Sequence, residues 1–521
     1  METFYGQICK LYELELYEDV ILLSELSDAR TLSPPSLATF FAICADSYYQ
    51  VGNYAKSQEA FYHAISCVKS LSSPLPDQKY REEELKFRLH KCLLKQNKRE
   101  EAISVLGSIS EVNMPVKVKA SLARLYAVSG KPDKRSSATQ ATRNSLIYYK
   151  KVVGECPEAV DALSVLLRNG ISLTSSLKWG PTVHIWLAAQ KAVGENNGTK
   201  AISLLSTVAG NNHRIITEMG RLHHLIGERQ KALLQLQKAH SLDCSSCLSM
   251  DLLAFILAQD QKVKELEDLA ASLMESHESF EAWIAYAFLA KCQRKSDAAL
   301  YFAEKASQFS EHLMNPMVVL VKSFVLIEKG RFDEAVQLLR DALMFSPDNF
   351  DLHEALVHAY LLQDKMQEAL LSSCNCRHQF GEDNARALYL YATVTSRDES
   401  TIKDAQEILE QAISTSPDLL DAVFLLVDLY DRTQNYEKAV ALLRKQTETI
   451  VNSRLHRILG DFLSKTNRPI DACRQYTLAV DGDANASKAM NALESTPGMS
   501  TSECIAPAIC PGAPRKRPVH R

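Results

Sequence analysis

The sequence predicts an all-α superhelical solenoid, and three observations carry that expectation. Small and aromatic residues recur along the chain at a spacing of about 34 residues, the period of a repeating helix pair. Within each copy the apolar residues fall at helical intervals on two stretches separated by a short turn. Hydrophobic residues make up 46% of the 521-residue chain, against 18 Gly and 17 Pro, a balance suited to packed helices. A helix–turn–helix unit of this length is the tetratricopeptide repeat, and about 12 to 13 such pairs fit the chain.

The elements follow in order. Residues 1–36 alternate apolar and acidic positions at helical spacing before TLSPPS, and are read as N-terminal helices that form a cap or a self-association surface. Residues 37–180 hold the N-terminal repeats. Their first copy has Phe41, Cys44, Ala45 and Tyr48 on one helix and Ser57, Phe61 and Ala64 on the next. A Ser- and Pro-containing loop at 71–80 leads to a copy with Leu89, Leu93, Ala102 and Leu106. The following copy is interrupted by GKPDKRSSATQATRN, which predicts a loop over 130–144 before Ser145, Tyr149 and Val152 resume the pattern. Residues 158–181 are the least regular, and the Trp179-Gly180-Pro181 break is where the superhelix is expected to change direction.

Residues 181–486 form the C-terminal repeats. Gly220 and Ala232, Ala287 and Ala299, Ala335, Tyr360 and Ala369, Ala405, Tyr430 and Ala439, and Gly460 and Ala472 repeat the same offsets. At these packing positions the two helices of a pair cross. A small side chain is needed there, because a bulky one holds the helices apart. The large residues between them fill the groove toward the next pair, since one pair cannot bury its own apolar face. Stacking predicts a long concave surface. Residues 487–521, with several Pro and Gly and no helical stripe, are expected to be a disordered tail.

Composition narrows the function. A net charge of −4 gives no electrostatic footprint for nucleic acid, so the expected partners are proteins. The start is acidic and aromatic without a secretory pattern, and the best apolar run, Met317 to Ile327, is interrupted by Lys322, so no membrane association is expected. The 13 cysteines are scattered from Cys9 to Cys510, as reduced thiols of an intracellular protein would be. Localisation in nucleus and cytoplasm is expected, with Arg515-Lys516-Arg517 as a candidate nuclear signal. The pairs Cys244/Cys247 and Cys374/Cys376, with His223 and His224, are read as packing residues in preference to a zinc site.

No phosphate-binding loop, nucleophile elbow or HExxH stands in the sequence, so no catalytic residues, cofactor or metal, and no enzyme activity, are expected. Carboxylate-clamp repeats carry Lys and Asn at two first-helix positions. Here those positions hold Ala42 and Asp46, Thr217 and Arg221, Phe424 and Asp428, and Arg457 and Asp461. What remains is a scaffold that binds extended segments or other solenoids along its concave face. The residues of that groove are not specified by the pattern.

LHRILGDFL at 455–463 followed by YTLAV at 476–480 resembles the last repeat of the subunit 7 family of the anaphase-promoting complex, or cyclosome. The segments YKKVVGECPEAVDAL at 149–163, AALYFAEKA at 298–306, EAVQLLRDAL at 334–343 and ARALYLYATV at 385–394 are similar to that family in order and spacing. The resemblance implies a non-catalytic scaffold in a cell-cycle ubiquitin ligase, supporting assembly and docking of activators and substrates. It also implies homodimers formed through the N-terminal half and partnership with sister tetratricopeptide subunits and activator C-terminal tails. The chain departs from the family in two places: it ends in a Pro-rich basic tail where members carry a long acidic one, and its loop at 71–80 is shorter.

Overall fold

The computed structural model describes residues 2–27, 32–71, 75–128, 135–171, 179–276, 278–309, 315–450 and 452–480. Among them the regular structure is helical throughout. The first four helix pairs are α1 (Glu2–Glu13) with α2 (Tyr17–Glu25), α3 (Pro34–Gln50) with α4 (Tyr54–Ser70), α5 (Glu82–Lys95) with α6 (Arg99–Gly107), and α7 (Val116–Val128) with α8 (Arg135–Glu155). A single helix, α9 (Val160–Arg168), follows. Then come α10 (Pro181–Gly194) with α11 (Gly198–Ser206), α12 (His213–Ile226) with α13 (Arg229–Leu242), α14 (Met250–Gln259) with α15 (Val263–Ser276), and α16 (Phe280–Cys292) with α17 (Ser296–Phe309). The array ends with α18 (Pro316–Glu328) and α19 (Phe332–Phe345), α20 (Phe350–Leu362) and α21 (Met366–Phe380), α22 (Ala385–Thr395) and α23 (Ile402–Thr415), α24 (Leu420–Arg432) and α25 (Tyr436–Thr449), and α26 (Ser453–Lys465) and α27 (Pro469–Ala479). Apart from the single α9, the helices form successive hairpins, the build of a tetratricopeptide solenoid.

Local sequence explains where the helices start and turn. Pro34, Pro181, Pro316 and Pro469 open helices at the first turn, where a missing N–H costs nothing. Asn53, Asn197, Asn384 and Asn452 cap others by accepting backbone N–H bonds. In most of the pairs one residue of the hairpin turn is left-handed, Glu15, Gly52, Asn97, Asn196, Gly227, Gln261, Arg294, Gly330, Asp364, Gln434 and Asn467, while the turn between α22 and α23 is built on the 3-10 segment Glu399–Thr401 instead. The repeat is therefore a repeat of turn geometry as well as of side-chain size.

Packing divides the chain into two units, one of Met1–Leu222 with Leu233–Ala359, the other of His223–Ala232 with Tyr360–Arg521. The expected division at 180/181 is not where packing separates. Across that point Trp179 and Leu187 pack against the apolar cluster that holds Leu163 and Leu166 of α9, and Trp186 Nε1 donates to Ser164 Oγ at 3.0 Å. Residues 158–171 and 179–181 are thus joined to α10 within the first unit.

The expected loop over 130–144 is also corrected, because α8 begins at Arg135. Its polar first turns left no apolar stripe to read. An amide bond one turn apart, from Gln140 Nε2 to Asn144 Oδ1 at 3.1 Å, is a helix-type pairing that composition did not reveal. The loop at 71–80 contains a one-turn 3-10 segment, Gln78–Tyr80, started by Asp77 accepting from the Lys79 N–H. Residues 72–74, the tail at 487–521 and Arg515-Lys516-Arg517 lie outside the described residues.

Candidate partner-binding faces

The helix crossings are the most constrained places. Ala45, Ala102, Ala232, Ala287, Ala299, Ala335, Ala369, Ala405, Ala439 and Ala472 are fully buried. Gly220 and Gly460 are buried as well, as are Tyr360 and Tyr430, while Tyr48 is half-buried. At Gly460 the reason is geometric: a Cβ there would stand 2.6–2.9 Å from three carbons of the Tyr476 ring. The Tyr476 hydroxyl donates to Asp461 Oδ1 at 2.8 Å, which fixes the ring across the glycine. The Tyr48 hydroxyl and Lys56 Nζ both donate to Glu25 Oε1 at 2.9 Å, tying the end of α2 to the first repeat.

With apolar residues spent on the crossings, polar groups collect on the first helices. In the first unit Glu218 of α12 accepts from Arg221 at 2.8 and 3.1 Å, from Arg168 Nη2 at 2.8 Å and from Gln190 Nε2 at 3.3 Å. Arg168 Nε also donates to Gln190. Gln190 is fully buried and Glu218 nearly so. Burial by itself raises the Glu218 carboxyl, but Arg221, Arg168 and the Gln190 amide outweigh it and bring it down to about 2. Four side chains from α9, α10 and α12 thus form one charged network.

Near the N-terminus Asp46 of α3 accepts from the Tyr12 hydroxyl at 2.9 Å and from Arg88 Nη1 at 2.7 Å, while Lys79 Nζ lies 4.5 Å from the Tyr12 ring centre. Burial holds the Asp46 carboxyl above its ordinary range despite Arg88 and Tyr12. Beside it, Tyr17, Tyr49, Phe87 and Lys91 line a groove of about 250 Å³. In the second unit Asp428 pairs with Arg432 at 2.8 Å, Asp461 with Arg457 at 2.7 Å, and Asp431 with Lys465 at 2.5 Å, while Arg454 covers the Phe424 ring at 4.3 Å. Ala42 is buried, and Thr217 donates back to the His213 carbonyl. At the clamp positions stand apolar groups and charges already paired within the chain.

The family model of the tetratricopeptide repeat matches residues 326–371 and 396–461. Beyond the repeat, the chain is 27% identical to "Anaphase-promoting complex subunit 7" of Homo sapiens, covering 92% of this chain and 89% of that protein. The protein of the same name in Arabidopsis thaliana is 23% identical over 77% of this chain and 72% of its own length, and that in Dictyostelium discoideum is 23% identical over 85% and 80%. Along most of its length the chain is thus similar to the subunit 7 proteins of the anaphase-promoting complex. Its fold matches the crystal structure of the anaphase-promoting complex hetero-tetramer Cut9–Hcn1, with a TM-score of 0.54 at 14% identity over 93% of this chain and 95% of that one.

Against this family's repeat pattern, the remaining candidates fall apart in space. Cys244 is exposed and Cys374 exposed, Cys376 is buried, and Cys247 Sγ donates to Ser279 Oγ at 3.6 Å. His223 pairs with Glu228 at 2.5 Å, and His224 accepts at its carbonyl from Arg386 at 3.2 Å. Sequence reasoning missed the Arg168–Gln190–Glu218–Arg221 network and Gly194, whose Cβ would collide with the Leu167 carbonyl oxygen. For the first the sequence carried no local signal: α12 is polar along much of its length, and Arg168 reads as an ordinary basic residue at a helix end. For Gly194 no signal exists in one sequence.

Proposed function

We propose that this chain is a non-catalytic scaffold subunit of an anaphase-promoting complex, the cell-cycle ubiquitin ligase to which the subunit 7 proteins belong by name, and that it works in the nucleus and cytoplasm. The observation that carries the reading is collinearity. A repeat pattern alone is shared by many adaptors, whereas similarity to subunit 7 runs along 92% of the chain and recurs in animals, a plant and an amoeba. A stack of helix pairs offers extended surface for other proteins.

Two finer points belong to the same proposal. Homodimerisation through the N-terminal half is supported by Leu14, Leu16, Leu22 and Leu26, which are 58%, 45%, 57% and 75% exposed on and beside α1 and α2. Docking of activator tails and substrates is supported by the first-helix faces, which hold aromatic and charged groups together.

Affinity purification of two differently tagged copies from dividing cells tests these readings. Recovery of cullin, RING and sister tetratricopeptide subunits is the expected result, with each tag bringing down the other. Absence of the ligase subunits defeats the scaffold proposal and favours an adaptor of a transport or trafficking assembly. Ligase subunits without the second tag defeat only the homodimer.

A further inference from the structure

Besides its own helix pair, the turn between α12 and α13 meets a face some 160 residues further on. His223–Ala232 belongs with Tyr360–Arg521 in the second unit. We propose that this turn is a charge-held latch seated on α22 and α24, fixed by Arg386 and by two ion pairs, and able to open without disturbing the helices on which it sits.

The seat is built around a glycine. Gly227 has φ +95°, and a Cβ there would meet Arg386 Cγ at 3.0 Å and Leu419 Cδ1 at 3.1 Å. That close approach lets Arg386, itself buried at 6% exposure, donate from Nη1 to the His224 carbonyl at 3.2 Å, although the two residues are 162 apart in sequence. The carbonyl lies in the last turn of α12, where it also accepts from the Gly227 N–H at 3.1 Å and where a cation complements the helix dipole. On the rim Lys231 Nζ stands 2.6 Å from Asp418 Oδ2 and 3.0 Å from Glu228 Oε1, and Arg229 Nη2 stands 3.1 Å from Asp421 Oδ2. Asp418 and Asp421 sit at the start of α24, where acids suit the helix N-terminus.

The character of the contact makes it a latch rather than a core. Its anchors are charged, and on the rim Lys231 is 52% and Asp421 38% exposed. The apolar cluster of α22–α27 runs beneath it, through Ala422, Val423 and Leu426, and does not include the turn. Opening therefore breaks polar contacts and uncovers Leu419 at the edge of that cluster, while its other members keep their packing.

Hydrogen exchange on the full-length chain, read over peptides spanning 223–232, tests the proposal. Lys231→Glu is expected to speed exchange there roughly two- to five-fold, the range for one exposed ion pair, and to leave exchange in α25–α27 unchanged. Adding Asp418→Lys restores the pair with its polarity reversed and is expected to bring the rate back toward that of the parent. A second cycle, Arg229→Asp with Asp421→Arg, is expected to behave in the same way. Parental exchange in both single variants, or double variants as fast as the singles, overturns the latch. A matching acceleration in α25–α27 overturns it too, because the turn is then part of the core. None of these outcomes depends on the ligase reading, which the co-purification decides separately.

Discussion

Residues 385–476 and residues 8–166 are built from the same helix pairs but pack differently. In the former one apolar cluster passes unbroken from Ala385 through Leu409, Leu426 and Leu443 to Leu459 and Tyr476. In the latter the buried apolar residues fall into separate clusters, around Ile8 and Phe40, around Phe61 and Leu89, around Leu106 and Leu122, and around Tyr149 and Leu166. Charged networks such as Tyr12–Asp46–Arg88 stand between helices there. The difference follows from regularity. Where every crossing carries a small residue at the same offset, each outer face meets the next and the core is continuous. Where the period slips, polar pairs take over part of the joining, and each must recover its own desolvation cost.

The largest way to break the regular region is at its tightest crossing. Gly460→Leu drives a side chain into the Tyr476 ring and is expected to cost about 3 kcal/mol or more, seen as a lower unfolding midpoint of the C-terminal pairs. The contrast is Gly154 inside α8, around which a Cβ meets nothing within 4 Å. Gly154→Ala is expected to gain roughly 0.5–1 kcal/mol from helix propensity alone. Equal effects from the two glycines would refute the assigned crossing.

In the less regular region the corresponding weak point is electrostatic. Glu218→Gln removes the one carboxylate that Arg168 and Arg221 share, and is expected to cost about 2 kcal/mol near neutral pH, the order for hydrogen bonds to a charged group whose partners are partly solvated. The sign with pH follows from the lowered carboxyl. Its stabilisation is complete above the ordinary carboxylate range and is lost as pH falls from there toward about 2. Parent and variant are therefore expected to differ most near neutrality and to converge in acid, as measured by denaturant midpoints at a series of pH values. A gap that stays constant with pH would assign the cost to shape rather than charge.

How much of this was legible follows the same divide. The offsets that put Gly460 opposite Tyr476, or that line up Ala405, Ala439 and Ala472, are properties of period, and a period is visible in one sequence. The matched stretches of the repeat family, 326–371 and 396–461, lie in the same half. Contacts between residues far apart in sequence leave no period. Arg168 with Glu218, and Arg386 with His224, join residues 50 and 162 apart, and nothing local distinguishes those arginines from solvated ones. The first turns of α8 failed to show for a related reason: a polar stretch that is helical and solvated reads like a loop until its backbone is seen.

The smallest expected effect sharpens the comparison within the regular region itself. Asn452 and Asn435 both precede a helix, and sequence alone scores them equally as caps. The Asn452 side chain accepts from the Arg454 N–H at 2.9 Å and the Leu455 N–H at 3.4 Å. Asn435 makes no cap bond, and its Nδ2 donates instead to Thr433 Oγ1 at 3.0 Å. Asn452→Ala is therefore expected to lower stability by about 1 kcal/mol, the usual cost of a lost cap. Asn435→Ala is expected to change it by a few tenths at most, as an exposed site away from caps and core does. Melting midpoints of the two variants measured side by side decide the matter, and equal losses would show that the turn, not the cap, sets where these helices begin.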